Sequence, residues 1–168
     1  MPPLSPLTDA IHRHHWGDGG GVDAALAALI LSVQARDPGV VAANVSGWHS
    51  TPDLLRWPHP AIARFAACLR TAADARGIGD VRAEAWANVM RTGAFQLAHR
   101  HGQATWAGVY YVAAGAGPGG AITFARGAES VTMHPEDGLM LTFPGQLLHS
   151  VSRYEGSDVR ISIGFNLS

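Results

Sequence analysis

The sequence predicts an α+β chain, mainly β, in which a helical N-terminal part (residues 1–80) leads into an antiparallel double sheet (residues 81–168). Three observations carry this. Before residue 80, apolar residues recur at i, i+3 and i+4. Beyond residue 84, short strand patterns are separated by Gly and Pro. The length of 168 residues suits a single domain, 1–168, able to bury about two thirds of its unfolded surface.

The elements follow in order. Val22, Ala25, Leu26, Leu29, Ile30 and Val33 form one helical stripe from Val22 to Arg36. Asp23 sits in its first turn and Pro38-Gly39 stops it. Ile62, Phe65, Ala66, Leu69, Ala72 and Ala73 form a second stripe. Pro60 opens that helix, Gly77 ends it, and Arg76 is placed to meet the C-terminal dipole. Between the helices, residues 44–50 read as a loop or short edge strand. Strands are expected at Ala85–Arg91, Ala104–Ala113, Ala121–Phe124, Leu139–Phe143, Leu147–Ser152 and Val159–Asn166. This spacing belongs to an antiparallel sandwich or barrel. Gly115 to Gly120 lies between two strand patterns with no helix to follow. It reads as a hairpin connection, not a phosphate loop.

Composition removes several chemistries. All twelve strongly basic residues are arginine, so a lysine Schiff base, a Walker A loop and a kinase-type lysine are excluded. A formal net charge of −1 offers no footprint for nucleic acid, and none is expected as a partner. The single cysteine, Cys68, excludes an internal disulfide and a Cys-rich zinc site; it falls on the second helical stripe as a buried thiol. Met1 to Pro6 lacks the pattern of a leader, and the longest apolar stretch, Ala24 to Val33, is about half a membrane span. A soluble, cytoplasmic protein with no membrane partner is expected, with any self-association as a homodimer.

Nine histidines are many for this length. His12, His14 and His15 read as surface residues of a mobile N-terminal segment that could at most line a site mouth. His49, His59 and His134 read as solvated loop residues. His99 and His101 stand two apart, so an extended segment points both to one face. His149 lies inside a strand among apolar neighbours and needs a partner or a wet cavity. Closing a double sheet brings such positions together, although an H-x-H pair is also common on surfaces. In the last strand, Val159, Ile161, Ile163 and Phe165 share one face; Arg160, Ser162, Gly164 and Asn166 share the other. If the apolar face packs on the helices, Arg160 points inward. There it meets an anion such as a carboxylate, with Ser162 as a second donor, or else pairs with one of thirteen acidic residues. Trp48, Trp57, Trp86 and Trp106 form either a substrate-side wall or core packing.

The segments Gly47-Trp48-His49-Ser50, Trp86-Ala87-Asn88-Val89, His99-Arg100-His101 and Gly108-Val109-Tyr110-Tyr111-Val112 stand in an order that continues to Gly138–Pro144, His149-Ser150-Val151 and Arg160–Asn166. Together they resemble the Fe(II)/2-oxoglutarate-dependent dioxygenase superfamily, and within it a bacterial 2OG-Fe(II) oxygenase family. The resemblance implies a double-stranded β-helix, a cupin-like jelly roll with helices packed on one sheet. It implies His99, His101 and His149 as metal ligands. It also implies Arg160, Ser162 and Tyr111 as the receptor of the far carboxylate of 2-oxoglutarate, with Asn88 lining the pocket or bonding to backbone. The usual triad has two histidines and a carboxylate; here His101 stands in the carboxylate position. Three neutral imidazoles leave Fe²⁺ its full +2 charge and also favour Zn²⁺ or Ni²⁺. Gly102 and Ala107 are further departures, where the family often has Pro and Ser. The implied activity uses Fe²⁺, 2-oxoglutarate and O₂ to hydroxylate a small-molecule or amino-acid/peptide substrate, releasing succinate and CO₂. The alternatives are a three-histidine cupin-type dioxygenase independent of 2-oxoglutarate and a non-catalytic metal-binding jelly-roll module.

Overall fold

The structure, a computed structural model, describes residues 6–16 and 21–168. Residues 1–5, most of the segment read above for a leader, and the side chain of Val22 lie outside the described residues. The first part of the chain forms α1 (Pro6–Asp9), β1 (His12–His15), α2 (Gly21–Gln34), β2 (Asn44–Val45), β3 (Trp48–His49), a 3-10 turn (Leu54–Arg56) and α3 (Pro60–Asp74). Eight strands follow: β4 (Ala83–Met90), β5 (Phe95–His99), β6 (Trp106–Ala113), β7 (Ile122–Arg126), β8 (Glu129–Met133), β9 (Leu139–Pro144), β10 (Leu148–Val151) and β11 (Arg160–Leu167). They make a six-stranded sheet of order β1-β9-β6-β11-β4-β3 and a five-stranded sheet of order β2-β5-β10-β7-β8. The strands pair antiparallel throughout both sheets. From β4 onward the chain passes back and forth between the two sheets, the winding of a double-stranded β-helix. Among the described residues no helix is long and apolar enough to cross a membrane.

Two buried layers hold this together. The outer face of the larger sheet meets α2 and α3: Leu26, Ile30, Phe65 and Leu69 pack with Ile161, Ile163 and Phe165 in one cluster. The second cluster, with Tyr111, Phe124, Leu141 and Phe143, lies between the sheets. The alternation in β11 therefore resolves as expected: its apolar face covers the helices and its other face turns inward. α3 forms where its stripe and its start signals agree. Pro60 supplies the fixed φ of the first turn, and the His59 ring accepts from the Ala61 amide at 3.1 Å, the job of an N-cap side chain. His59 is thus a cap, not a solvated loop residue.

Four other expectations change. The glycine-rich segment from Gly115 to Gly120 is not a hairpin, because β6 lies in one sheet and β7 in the other. It crosses between the sheets by close backbone approach: Gly119 has φ 81°, and a Cβ there would sit 1.8 Å from the Arg153 carbonyl oxygen. The segment His12–His15 is an edge strand on β9. His12 and His14 pair with Thr142 and Met140, and Met140 belongs to the helix-side cluster. Direct cross-strand partners share a face, so both lie on the side of the sheet away from the inter-sheet space. Arg76 falls beyond the last turn of α3, with its guanidinium 5.9 Å from the Trp106 ring centre. Finally, β5 and β8 are strands that the pattern alone did not mark. Both are half-exposed, and Gln96 and Glu129 interrupt their apolar character.

Candidate metal centre and its cavity

Strand register assembles the three histidines. β5 and β10 pair so that His99 lies directly opposite His149. His101 follows β5 and is held by its backbone N–H donating to the Gly145 carbonyl at 2.8 Å. The ligand atoms of His99, His101 and His149 all lie within 4.8 Å of one another. His99 and His149 each donate Nδ1–H to the carbonyl two residues back, Leu97 at 2.7 Å and Leu147 at 2.8 Å. A carbonyl oxygen can only accept, so these bonds leave the Nε2 atoms as the outward-directed lone pairs. Such backbone anchors orient metal-binding imidazoles.

The electrostatics suit ligation. Burial, and then the neighbouring histidines, lowers His101 to about 4 and His149 to about 3, so both rings are neutral at pH 7. Nε2 of His101 and Nε2 of His149 face each other at 3.1 Å. Two neutral imidazole nitrogens at that distance either share a proton or face a common cation. About 3 Å is also the separation of two cis ligands around an ion about 2.1 Å from each. The donor set of three imidazoles fits a borderline divalent transition metal.

The histidines open on a cavity of about 360 Å³ between the two sheets. Arg160, Ser162, Tyr111 and Asn88 line the same cavity, so the residues that the resemblance implies for metal and co-substrate all border it. Arg160 is 2% exposed. Its Nη1 meets the Met90 sulfur at 2.9 Å, and its Nη2 donates to the Gly120 carbonyl at 3.1 Å. Nε finds no partner, and the guanidinium lies 5.2 Å from the Tyr111 ring centre. No carboxylate among the described residues pairs with it. Four of the thirteen acidic residues are engaged elsewhere: Glu129 with Arg126, Glu136 with Arg13 and His15, Asp137 with the Ala114 amide, and Asp158 with Tyr154 and the Ala116 amide. The Tyr111 hydroxyl is buried beside the guanidinium without a hydrogen bond of ordinary geometry. Burial raises its pKa against the opposing pull of Arg160, so the phenol keeps its proton as a donor. A buried cation with one unpaired N–H and a buried hydroxyl beside it, both lining one cavity, could receive an anion. Asn88 has a side-chain partner, accepting from Gln96 at 3.2 Å, where a backbone bond had been the simpler expectation.

The register also reveals residues that sequence reasoning passed over. His49 is opposite Asn88, Asn88 opposite Ser162, and Ser162 opposite Tyr111, a polar row across four strands. His49 is half-buried on β3 and lines the cavity, so it is not a solvated loop residue. The order Gly47-Trp48-His49-Ser50 was the available signal. Trp86 stacks between His49 (5.6 Å, 12°) and His101 (5.6 Å, 22°). Gly164 makes room for it, since a Cβ there would sit 2.6 Å from the indole ring. Trp48 and Trp57 pack against the helix-side core. Cys68 is half-buried beside the same core.

Comparison with known proteins agrees with this geometry. The chain resembles several solved structures. One is a Pseudomonas putida prolyl-4-hydroxylase, with TM-score 0.73 and 16% identity over 94% of this chain and 91% of the other. Another is a Trichoplax adhaerens prolyl hydroxylase in complex with a hypoxia inducible factor peptide fragment, with TM-score 0.72 and 11% identity over 95% and 84%. A third is HygX from Streptomyces hygroscopicus with nickel and 2-oxoglutarate bound, with TM-score 0.70 and 14% identity over 95% and 82%. At these identities the likeness is one of fold. Comparison with curated proteins gives no match. The family described as "Putative 2OG-Fe(II) oxygenase" matches residues 84–128 and 123–166, from β4 through most of β11 and across the whole histidine cluster. The chain belongs to the 2OG-Fe(II) oxygenases.

Proposed function

We propose that the protein hydroxylates its substrate with Fe²⁺ held by His99, His101 and His149, and with 2-oxoglutarate anchored through its far carboxylate on Arg160, Ser162 and Tyr111. The observation that carries this is Arg160: a buried guanidinium with no carboxylate partner, lining the cavity onto which the three imidazoles open. Bound there, the iron and co-substrate supply, with O₂, the oxidative chemistry that ends in succinate, CO₂ and a hydroxylated product.

The chain's own residues do the rest. The Leu97 and Leu147 carbonyls fix His99 and His149 as Nε2 donors. Arg160 offers a fork to a carboxylate, and the Ser162 and Tyr111 hydroxyls add donors from adjacent strands. Neutral imidazoles leave the ion its +2 charge, which complements a dianionic co-substrate. Phe143 and Trp86 line the cavity, and their apolar rings would limit water around these contacts and so strengthen them. The substrate class remains small-molecule or amino-acid/peptide in this reading, in keeping with the peptide complex of the Trichoplax relative.

The test is Arg160→Ala, read by anaerobic 2-oxoglutarate titration and by metal content. The expected result is an affinity loss of at least about a hundredfold, the cost of leaving one charge of a buried pair alone, with metal stoichiometry unchanged. Unchanged 2-oxoglutarate affinity sinks the assignment. The histidine at position 101, in place of a carboxylate, favours as second reading a three-histidine dioxygenase that needs no 2-oxoglutarate. That reading gains if the wild type fails to bind the co-substrate at all.

A further inference from the structure

The cavity has one fixed charge, and it is spent. Among the described residues that line it, Arg160 alone carries a permanent charge, and the reading above assigns it to the co-substrate. No lining carboxylate is left for an ammonium group and no second arginine for an anion. The mouth is apolar: Val40, Ala42, Ala43 and Pro52 line it. The large apolar side chains found exposed are Val40 (39%), Val41 (92%) and Leu97 (55%). Val40 lines the cavity, and Leu97 stands on β5 beside the same segment, its amide donating to the Ala43 carbonyl at 2.9 Å. An apolar rim of this kind suits an apolar substrate body.

Within this neutral chamber His49 presents a directed group. Its Nδ1 lies 2.6 Å from the Ser50 carbonyl oxygen. That oxygen only accepts, so Nδ1 carries the proton and Nε2 is a bare acceptor. Burial lowers its pKa further from protonation. The ring is held flat against Trp86 at 12°, and its position at the end of the polar row sets it beside Asn88. Nε2 has no partner among the described residues, while the neighbouring Asn88 is bonded by Gln96.

We propose that His49 is the specificity-determining anchor for the primary substrate, and that this substrate is an uncharged, amide-bearing group on an apolar body, such as a residue within a peptide, whose N–H donates to Nε2. A free amino acid does not fit, because its ammonium and carboxylate have no partners in the chamber. This rests on the oxygenase reading, since it takes Arg160 as occupied.

The test uses the full chain loaded with Zn²⁺ and 2-oxoglutarate, titrated with N-acetyl amino-acid amides of alanine, valine, leucine, isoleucine, methionine and proline, and with the same amino acids free. Saturation-transfer NMR reads both probe and co-substrate. At least one capped amide is expected to bind, and each free amino acid at least about tenfold more weakly. His49→Ala is expected to weaken the capped amide about tenfold, the value of one hydrogen bond, with 2-oxoglutarate affinity unchanged. His49→Gln, which returns an acceptor oxygen near the place of Nε2, is expected to recover most of the loss. Binding of 2-oxoglutarate without any capped amide, or capped-amide binding indifferent to His49→Ala, overturns the substrate assignment alone. Failure of 2-oxoglutarate to bind the wild type overturns both readings.

Discussion

Arg160 shows how a single residue can be costly to the fold and still belong to it. It is buried, its Nε is unsatisfied, and its other two nitrogens meet a thioether and one carbonyl. A buried charge without an ionic partner carries a desolvation cost that an apolar side chain of similar volume avoids. Arg160→Met should therefore leave the melting temperature of the metal-free, co-substrate-free protein equal to or above that of the wild type. The rise in melting temperature that 2-oxoglutarate gives the wild type should vanish. Thermal unfolding with and without co-substrate measures both, and a large fall in the free protein would show that Arg160 is mainly structural. The residue was legible because β11 alternates cleanly and has an arginine on its polar face. His49 reads as a solvated loop residue because Gly47-Trp48-His49-Ser50, though it stands in the motif order, does not by itself say that Trp48 faces the core while its neighbour lines the cavity beside Trp86. Gly164 has the same character: its lack of a side chain has meaning only once the indole lies across it.

At the scale of elements, the two long helices were legible because period, start and stop signals agree, as at His59-Pro60 and Gly77 of α3. β4, β6, β9, β10 and β11 were legible from runs of apolar residues. β5 and β8 were not, because each is half-exposed and its identity comes from the partner it pairs with. The Gly115–Gly120 segment is the instructive case. Its glycines read as a tight turn within one sheet, yet they carry the chain across to the other, where Gly120 delivers a carbonyl to Arg160. Gly119→Ala places a Cβ 1.8 Å from a backbone oxygen at φ 81°, so the backbone must move. We expect a loss of about 2–4 kcal/mol by denaturant unfolding, with weaker 2-oxoglutarate binding as the Arg160 anchor shifts. A variant as stable as the wild type would contradict the crossing geometry.

For the whole molecule, the buried histidines couple folding to pH. His101 and His149 titrate near 4 and 3 when folded and near 6.5 when unfolded. Between those values the unfolded chain binds more protons, so stability is full above about pH 6.5 and falls as the pH drops toward 4 and 3. Each group contributes a slope of up to about 1.4 kcal/mol per pH unit. Metal-free protein should unfold at progressively lower denaturant between pH 6.5 and 4, and His149→Ala should flatten that decline. An unchanged slope in the variant would mean that His149 is not the group being charged.

The sequence by itself determined the classes of chemistry open to this chain, through its lack of lysine, its clustered histidines and one inward arginine. It also determined the helical half and most strands, because those are local properties of period and turn. Only the tertiary structure decided which histidines meet, since His99 and His149 come together through β5–β10 register and His101 through the Gly145 carbonyl. It decided as well that no described carboxylate pairs with Arg160, and that His49 joins the row from Asn88 to Tyr111. Cross-strand register and the passage between two sheets are non-local: they follow from closing both layers around one core, and no single segment encodes them.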